Sequence, residues 1–348
     1  MLTKDNFTEE HIRELQKQSK CDPSILERTI FAFGLLEALT KAGMPFIFKG
    51  GSSLMLLLEH PRRLSTDIDI LVEPGIDFED YLNAAARIFP FVRREEQPRA
   101  KRSGIEKRHF KFSYRSPMTG KELCILLDVV FAANPYPHLI RRSIDNDLLY
   151  AEGEPLTVQL PSINCVLGDK LTAFAPHTTG IRFGIGKNME IVKQFYDVAT
   201  LLNEFTDFDE AAESYRKVVQ EEIAYRGGNI TEENALRDTL DAALCIASRG
   251  KVQPDEYTLY VKAIRDLRDH IYAERYTPEV AARQAPRVLY AAACLLKHVT
   301  FQNISDPSEY LRAQYKRQAF MPMKYLKRID PLAYAFTIQA DRLLHKES

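Results

Sequence analysis

No uncharged apolar run in the 348 residues approaches the ~20 needed to span a bilayer, so a membrane-crossing helix is not expected. The opening segment MLTKDNFTEEHIRELQKQ is charged throughout and lacks the apolar stretch of a secretory signal, which makes a cytoplasmic protein the expectation. An excess of one charge sign is missing too. With 47 Lys and Arg against 48 Asp and Glu, bulk charge gives no pull toward nucleic acid or an anionic surface, and any basic patch has to be local. The five cysteines (Cys21, Cys124, Cys165, Cys245 and Cys294) have neither CxxC spacing nor neighbouring histidines. Their odd number and scatter argue against a disulfide framework or a zinc site, and they read as reduced, mostly core thiols. Repeats, low-complexity tracts and long linkers are also absent.

What is present divides in two. At 45% hydrophobic residues the chain can build a sizeable core. Asn6 with Glu9 has capping-box spacing, and Asp22-Pro23 opens a helix whose apolar residues recur at helical spacing to about Lys41, where Gly43 ends it. Residues 45–48 then read as a short strand, 52–59 as a short helix and 67–72 as a strand with β-branched residues. Residues 78–88 look helical, 108–114 alternate like a half-exposed strand, and 123–131 (LCILLDVVF) look like a buried one. The stretch 134–161 is richer in Pro, Asp and Asn, with a possible strand at 156–160. Beyond it the pattern is helical: 163–174, 190–202, 208–224, 232–247, 254–273, 278–298 and two shorter segments. The expected fold is α/β with a mixed sheet over residues 1–160, followed by an all-helical domain over 161–348.

The chemistry-bearing residues cluster in FKGGSSLMLLLEHPRRLSTDIDILVE. Side chains two apart on a strand share a face, so Asp67 and Asp69 project together while Ile68 and Ile70 point to the core. Two carboxylates on one face repel unless a cation lies between them, and Mg2+ shared with substrate phosphates suits so sparse a ligand set. Asp128, set in the apolar LLDVVF, would be costly to bury unpaired, and its simplest partner is the same metal site reached from an adjacent strand. Gly50-Gly51-Ser52-Ser53 offers close backbone approach, free N–H groups at a helix start and hydroxyl donors to a triphosphate. No Gly-Lys-Ser/Thr follows, so it is not a Walker A loop. A phosphate cradle one short helix from a dicarboxylate points to nucleotidyl transfer. Each piece has an ordinary reading as well: a glycine turn as a helix start, paired aspartates as a solvated strand end, and Asp128 as a cap or ion-pair partner.

With its Arg63-Leu64-Ser65-Thr66-Asp67-Ile68-Asp69 segment after Gly-Gly-Ser-Ser, the chain resembles the AbiEii/AbiGii-type toxins, a branch of the DNA polymerase β-like nucleotidyltransferases. The Arg-x-Ser lead-in is the more specific part. The resemblance extends to Asp128, to Lys170 in VLGDKLTAFAP and to Asp197 in KQFYDVATLL, while Lys193-Gln194 stands where relatives often carry a basic residue followed by Asp. It implies a polymerase β-like fold with Asp67, Asp69 and Asp128 as metal ligands. Gly50, Gly51, Ser52, Ser53, Arg63 and Ser65 would hold the nucleotide. Lys170 would sit on the triphosphate and Asp197 would orient the lysine or the acceptor. It also implies Mg2+ as cofactor, an NTP as substrate, a tRNA 3′ end as acceptor and a cognate antitoxin as partner.

Residues outside the motif divide less clearly. Taken alone, Lys170 on an amphipathic helix reads as solvated and Asp197 as a helix-face carboxylate. Lys49 could reach a phosphate or be a solvated strand end. His109, His138 and His177 are isolated in sequence and read as structural or surface groups. Residues 178–187 carry three glycines and two basic residues without GxGxxG spacing, as a loop over the site or a plain connection. Two basic stretches, 93–111 and 312–328, could hold an RNA backbone or be solvated faces. Two alternatives stand beside the toxin: a small-molecule nucleotidyltransferase resembling those that modify aminoglycosides, with an acidic acceptor cleft, and a non-catalytic RNA- or partner-binding module.

Overall fold

The computed structural model describes residues 1–19, 21–98, 106–272 and 274–345. The chain divides into two compact units, Met1–Ser162 with Asp269–Arg275, and Ile163–Arg268 with Tyr276–Ser348.

The first unit contains helices α1 (Glu9–Ser19), α2 (Pro23–Lys41), α3 (Gly50–Leu57) and α4 (Glu79–Ala85). Its strands are β1 (Ile47–Lys49), β2 (Ile68–Val72), β3 (Phe91–Glu96), β4 (Glu106–Arg115), β5 (Glu122–Phe131), β6 (Leu139–Ser143) and β7 (Thr157–Pro161). Five of them form a mixed sheet in the order β1-β2-β5-β4-β3, with β2 and β5 parallel and the other neighbours antiparallel. β6 and β7 pair separately.

Alternation along these strands gives the sheet two unlike faces. Ile68, Ile70, Val72, Leu127, Val129, Phe110 and Phe112 are buried on one face, where the Phe31 ring of α2 stacks on Tyr114 at 3.8 Å. The opposite face carries Asp69, Leu126, Asp128, His109 and Lys111, all only partly buried. Burial of one face fixes the register, because a one-residue slip would turn the apolar set outward.

Helix α2 begins as its sequence indicates: the Asp22 carboxylate accepts the Ser24 amide at 2.8 Å, with Pro23 in the first turn. Two expectations need correction. Asn6 caps nothing; it is fully buried, and its amide exchanges hydrogen bonds with the Tyr150 backbone at 2.7 and 2.8 Å. Thr8 takes its place, its hydroxyl accepting the His11 amide at 3.3 Å. Residues 93–96, the start of the first basic stretch, lie in the edge strand β3, whose charged side chains suit an unpaired sheet edge. Residues 99–105 of that patch lie outside the described residues. Finally, the helix expected over 254–273 stops at Leu267. Beyond it the backbone joins that of residues 62–64, with Leu64 N–H donating to His270 at 2.7 Å and Tyr272 N–H to Arg62 at 2.9 Å.

The second unit is helical: α5 (Ile163–Ala173), α6 (Asn188–Glu204), α7 (Phe208–Arg226), α8 (Glu232–Ala247), α9 (Pro254–Leu267), α10 (Pro278–Leu296), α11 (Leu326–Ile329) and α12 (Pro331–His345). Gly168 lets α5 approach α7 closely, since a Cβ there would collide with the Ala211 carbonyl. Helix α8 opens on a capping box in which Thr231 and Asn234 exchange bonds of 3.1 Å. Among the described residues no helix is long and apolar enough to cross a membrane.

Candidate active site

The register of the sheet sets a row of charged and polar side chains across its open face. Lys49 of β1 pairs with Asp69 of β2, Asp69 with Asp128 of β5, and Asp128 with His109 of β4. Residues opposed in this way present their side chains on one face at neighbouring positions. Asp67, immediately before β2, is exposed.

His109 is the residue that sequence reasoning missed. Its Nδ1 lies 2.6 Å from Asp128 Oδ1, so the tautomer with its proton on Nδ1 donates to that carboxylate. The signal in the sequence is the alternation of RHFKFSY, which puts His109 and Lys111 on the polar face. Which residue His109 opposes emerges only from the strand register.

The glycine turn abuts this row. Gly50 has φ +78°, and a Cβ on it would collide with the Asp69 carboxylate, so only glycine fits there. A Cβ on Gly51 would come within 2.6 Å of Arg63 Nη2 and 3.1 Å of Ser65 Oγ. Asp69, Arg63 and Ser65 thus ring the N-terminus of α3, whose first backbone N–H groups have the chemistry to receive an anion. Arg63 is buried and braced by a 3.1 Å bond from Nη1 to the Leu64 carbonyl. The two hydroxyls expected to face phosphate are used otherwise. Ser52 Oγ donates to the Asp67 carbonyl and Ser53 Oγ to that of Gly50, at 2.8 Å for the second, and both residues are fully buried. Ser52 therefore ties the start of α3 to the start of β2.

In the second unit, Lys170 of α5 is buried rather than solvated. Its Nζ lies 3.0 Å from Asp197 Oδ2 and 3.0 Å from Gln194 Oε1, both on α6, and Asp197 is 1% exposed. Gln194 supplies a neutral acceptor beside the Asp197 carboxylate. Lys193 pairs with Glu190 at 2.8 Å. His177 faces Glu256 at 2.9 Å, and its backbone N–H and the Thr178 hydroxyl both donate to Asp238 at 2.8 Å, anchoring the start of the 178–187 loop.

The open face fits a divalent cation. Asp69 and Asp128 oppose each other directly, an arrangement of like charges that destabilises a sheet unless a cation offsets it, and their all-oxygen chemistry suits Mg2+. Among the described residues no three acidic, histidine or thiol side chains are grouped so as to hold a metal ion by themselves. A Mg2+ that keeps waters and shares substrate phosphates needs only one or two carboxylates.

Residues 35–288 match the family model described as nucleotidyl transferase AbiEii toxin, type IV TA system. A crystal structure of JHP933 from Helicobacter pylori is similar at 12% sequence identity and a TM-score of 0.44, covering 78% of this chain and 94% of that one. No curated protein matches the chain.

Proposed function

The chain belongs to the AbiEii family of nucleotidyl transferase toxins of type IV toxin–antitoxin systems, and from that premise we propose that it moves a nucleoside monophosphate from an NTP to the 3′ hydroxyl of a tRNA, with Mg2+ and in the cytoplasm. The family implies a cognate antitoxin as partner. In this reading the first unit is a polymerase β-like nucleotidyltransferase domain. The observation that carries it is the opposed pair Asp69 and Asp128 beside the Gly50-Gly51 turn.

Asp67, Asp69 and Asp128 would hold the metal, which when bound neutralises triphosphate charge and favours loss of pyrophosphate. The backbone N–H groups at the start of α3, with Arg63 and Ser65, bind the phosphates. Ser52 and Ser53 shape that turn. The acceptor oxygen bonds to the α-phosphorus as the bond to the β-phosphate bridge breaks, pyrophosphate leaves, and the hydroxyl proton passes to a carboxylate. Asp128, oriented by His109, is placed to take it. The family resemblance assigns Lys170 to the triphosphate and Asp197 to orienting the lysine.

The test is incubation of the protein with each labelled NTP in turn, total RNA and Mg2+, with and without a chelator. Metal-dependent label in tRNA is the expected result; label in protein or in a small molecule instead would remove the tRNA assignment. His109→Ala should slow transfer by about 10- to 100-fold, the usual loss when the hydrogen-bond partner of a metal ligand is removed. His109→Asn, whose Nδ2 donates from nearly the same place as Nδ1, should recover most of it. Equal loss in both variants, measured as initial rates, would show that the bond to Asp128 is not what His109 contributes.

A further inference from the structure

A second feature of the first unit lies beside Asp67. A cavity of about 540 Å³ is lined by side chains of β3, β4 and β5 together with Arg28 of α2, Thr66 and Asp67. Its size falls in the ~300–1,000 Å³ range of small-ligand sites. Leu123 and Leu126 contribute apolar surface to it.

The charges around this cavity do not all cancel. Arg93 bonds Glu122 through Nε at 2.9 Å and Nη2 at 2.5 Å and also reaches Glu95 at 3.3 Å, and this contact holds the Glu122 carboxyl below the usual carboxylate range. That wall is satisfied within itself. Arg28 and Lys111, by contrast, have no hydrogen bond or ion pair among the described residues. Arg28 does exert its field on the buried Glu27, whose carboxyl burial pushes up. Two cations therefore remain for an anionic occupant, beside an aspartate assigned to the metal.

The direction of the reaction says which substrate that is. In an in-line displacement the attacking oxygen and the departing pyrophosphate lie on opposite sides of the phosphorus. The glycine turn joins β1 to α3, whereas the cavity is built from β5, β4 and β3, which lie on the other side of β2 in the sheet order. β2, which carries Asp69, lies between them in that order. The triphosphate fills the turn, so the cavity is left to the acceptor. We infer that this cavity is the acceptor subsite, taking the 3′-terminal nucleotides of a single-stranded RNA end, with Arg28 and Lys111 on its phosphates and Leu123 and Leu126 against a base or ribose.

This inference rests on the nucleotidyl-transfer reading of the neighbouring row, and it disfavours a cationic acceptor such as an aminoglycoside, which the two cations would repel. The experiment uses the full chain, a fluorescent single-stranded RNA oligonucleotide with a free 3′ hydroxyl, and the double variants Arg28→Glu/Lys111→Glu and Arg28→Gln/Lys111→Gln, the milder pair guarding against misfolding in the first. RNA affinity should fall by about 10-fold or more. The slope of log affinity against log salt should shrink by about 1.4, from ~0.7 for each phosphate contact to a single strand. Affinity for a non-hydrolysable NTP should stay within about twofold, since those residues lie away from the phosphate turn. Unchanged RNA affinity and an unchanged KM for RNA in both variants would overturn the subsite while leaving the transfer reading standing. RNA binding that depends on Arg28 and Lys111, without nucleotide incorporation, would uphold the subsite and remove the transfer reading. Failure of the wild-type chain to bind RNA, or label found only in protein, would overturn the inference.

Discussion

Asp69→Asn is expected to abolish most nucleotidyl transfer, by about 10²- to 10³-fold or more, the scale of losing a preorganised electrostatic group at the reacting centre. Asparagine keeps the shape that packs over Gly50 and removes only the charge, so the loss separates electrostatics from folding. Stability should move the other way. Asp69 and Asp128 sit at paired positions of the parallel strands β2 and β5, where two like charges repel. Without metal the variant should therefore melt at the same temperature as the wild type or slightly higher. Mg2+ should raise the melting temperature of the wild type by mass action and leave that of the variant nearly unmoved. Labelled-NTP incorporation and thermal melts with and without Mg2+ measure both effects. Transfer within about threefold of the wild type, or an equal response to Mg2+, would exclude Asp69 as a ligand.

The parts of the fold legible in the sequence are those specified by local pattern. IDILV and LCILLDVVF announce β2 and β5 through β-branched and apolar runs, and Asp22-Pro23 and Gly43 mark the limits of α2. The strand period also makes Asp69 legible on the face opposite Ile68 and Ile70, whereas Asp67 falls just ahead of β2. What stayed hidden depends on which distant segment lies opposite. His109 looks isolated in sequence because its partner Asp128 is 19 residues away and meets it only through the β4–β5 register. Asn6 has capping-box spacing, yet its amide satisfies the backbone of Tyr150 instead. Residues 269–272 continue an apolar rhythm that reads as helix, but their backbone groups bond to residues 62–64, just ahead of Ser65 and Asp67. Ser52 and Ser53 look like phosphate donors until burial shows their protons committed to carbonyl oxygens. In each case composition names the group, and tertiary pairing decides how it is used.

Lys170 carries the second large effect, and on stability rather than on rate alone. An ammonium that is 7% exposed is tolerated because Asp197 neutralises it and Gln194 gives it a second acceptor. Asp197→Ala leaves that charge buried with only a neutral partner, which should destabilise the protein by about 3–5 kcal/mol. Gln194→Leu removes an acceptor but not the compensating charge and should cost about 1–3 kcal/mol. The informative variant is the double replacement Lys170→Met/Asp197→Leu. Substituting apolar side chains of similar volume for a buried pair is often neutral or stabilising, so the double variant should recover most of the stability lost by Asp197→Ala. If Lys170 also serves the triphosphate, the same double variant stays inactive despite its restored fold. Urea midpoints and incorporation rates on the same preparations then separate the two roles. Recovery of both stability and transfer would make the pair a structural element alone, and an Asp197→Ala midpoint equal to that of the wild type would mean that Lys170 finds its compensating charge elsewhere.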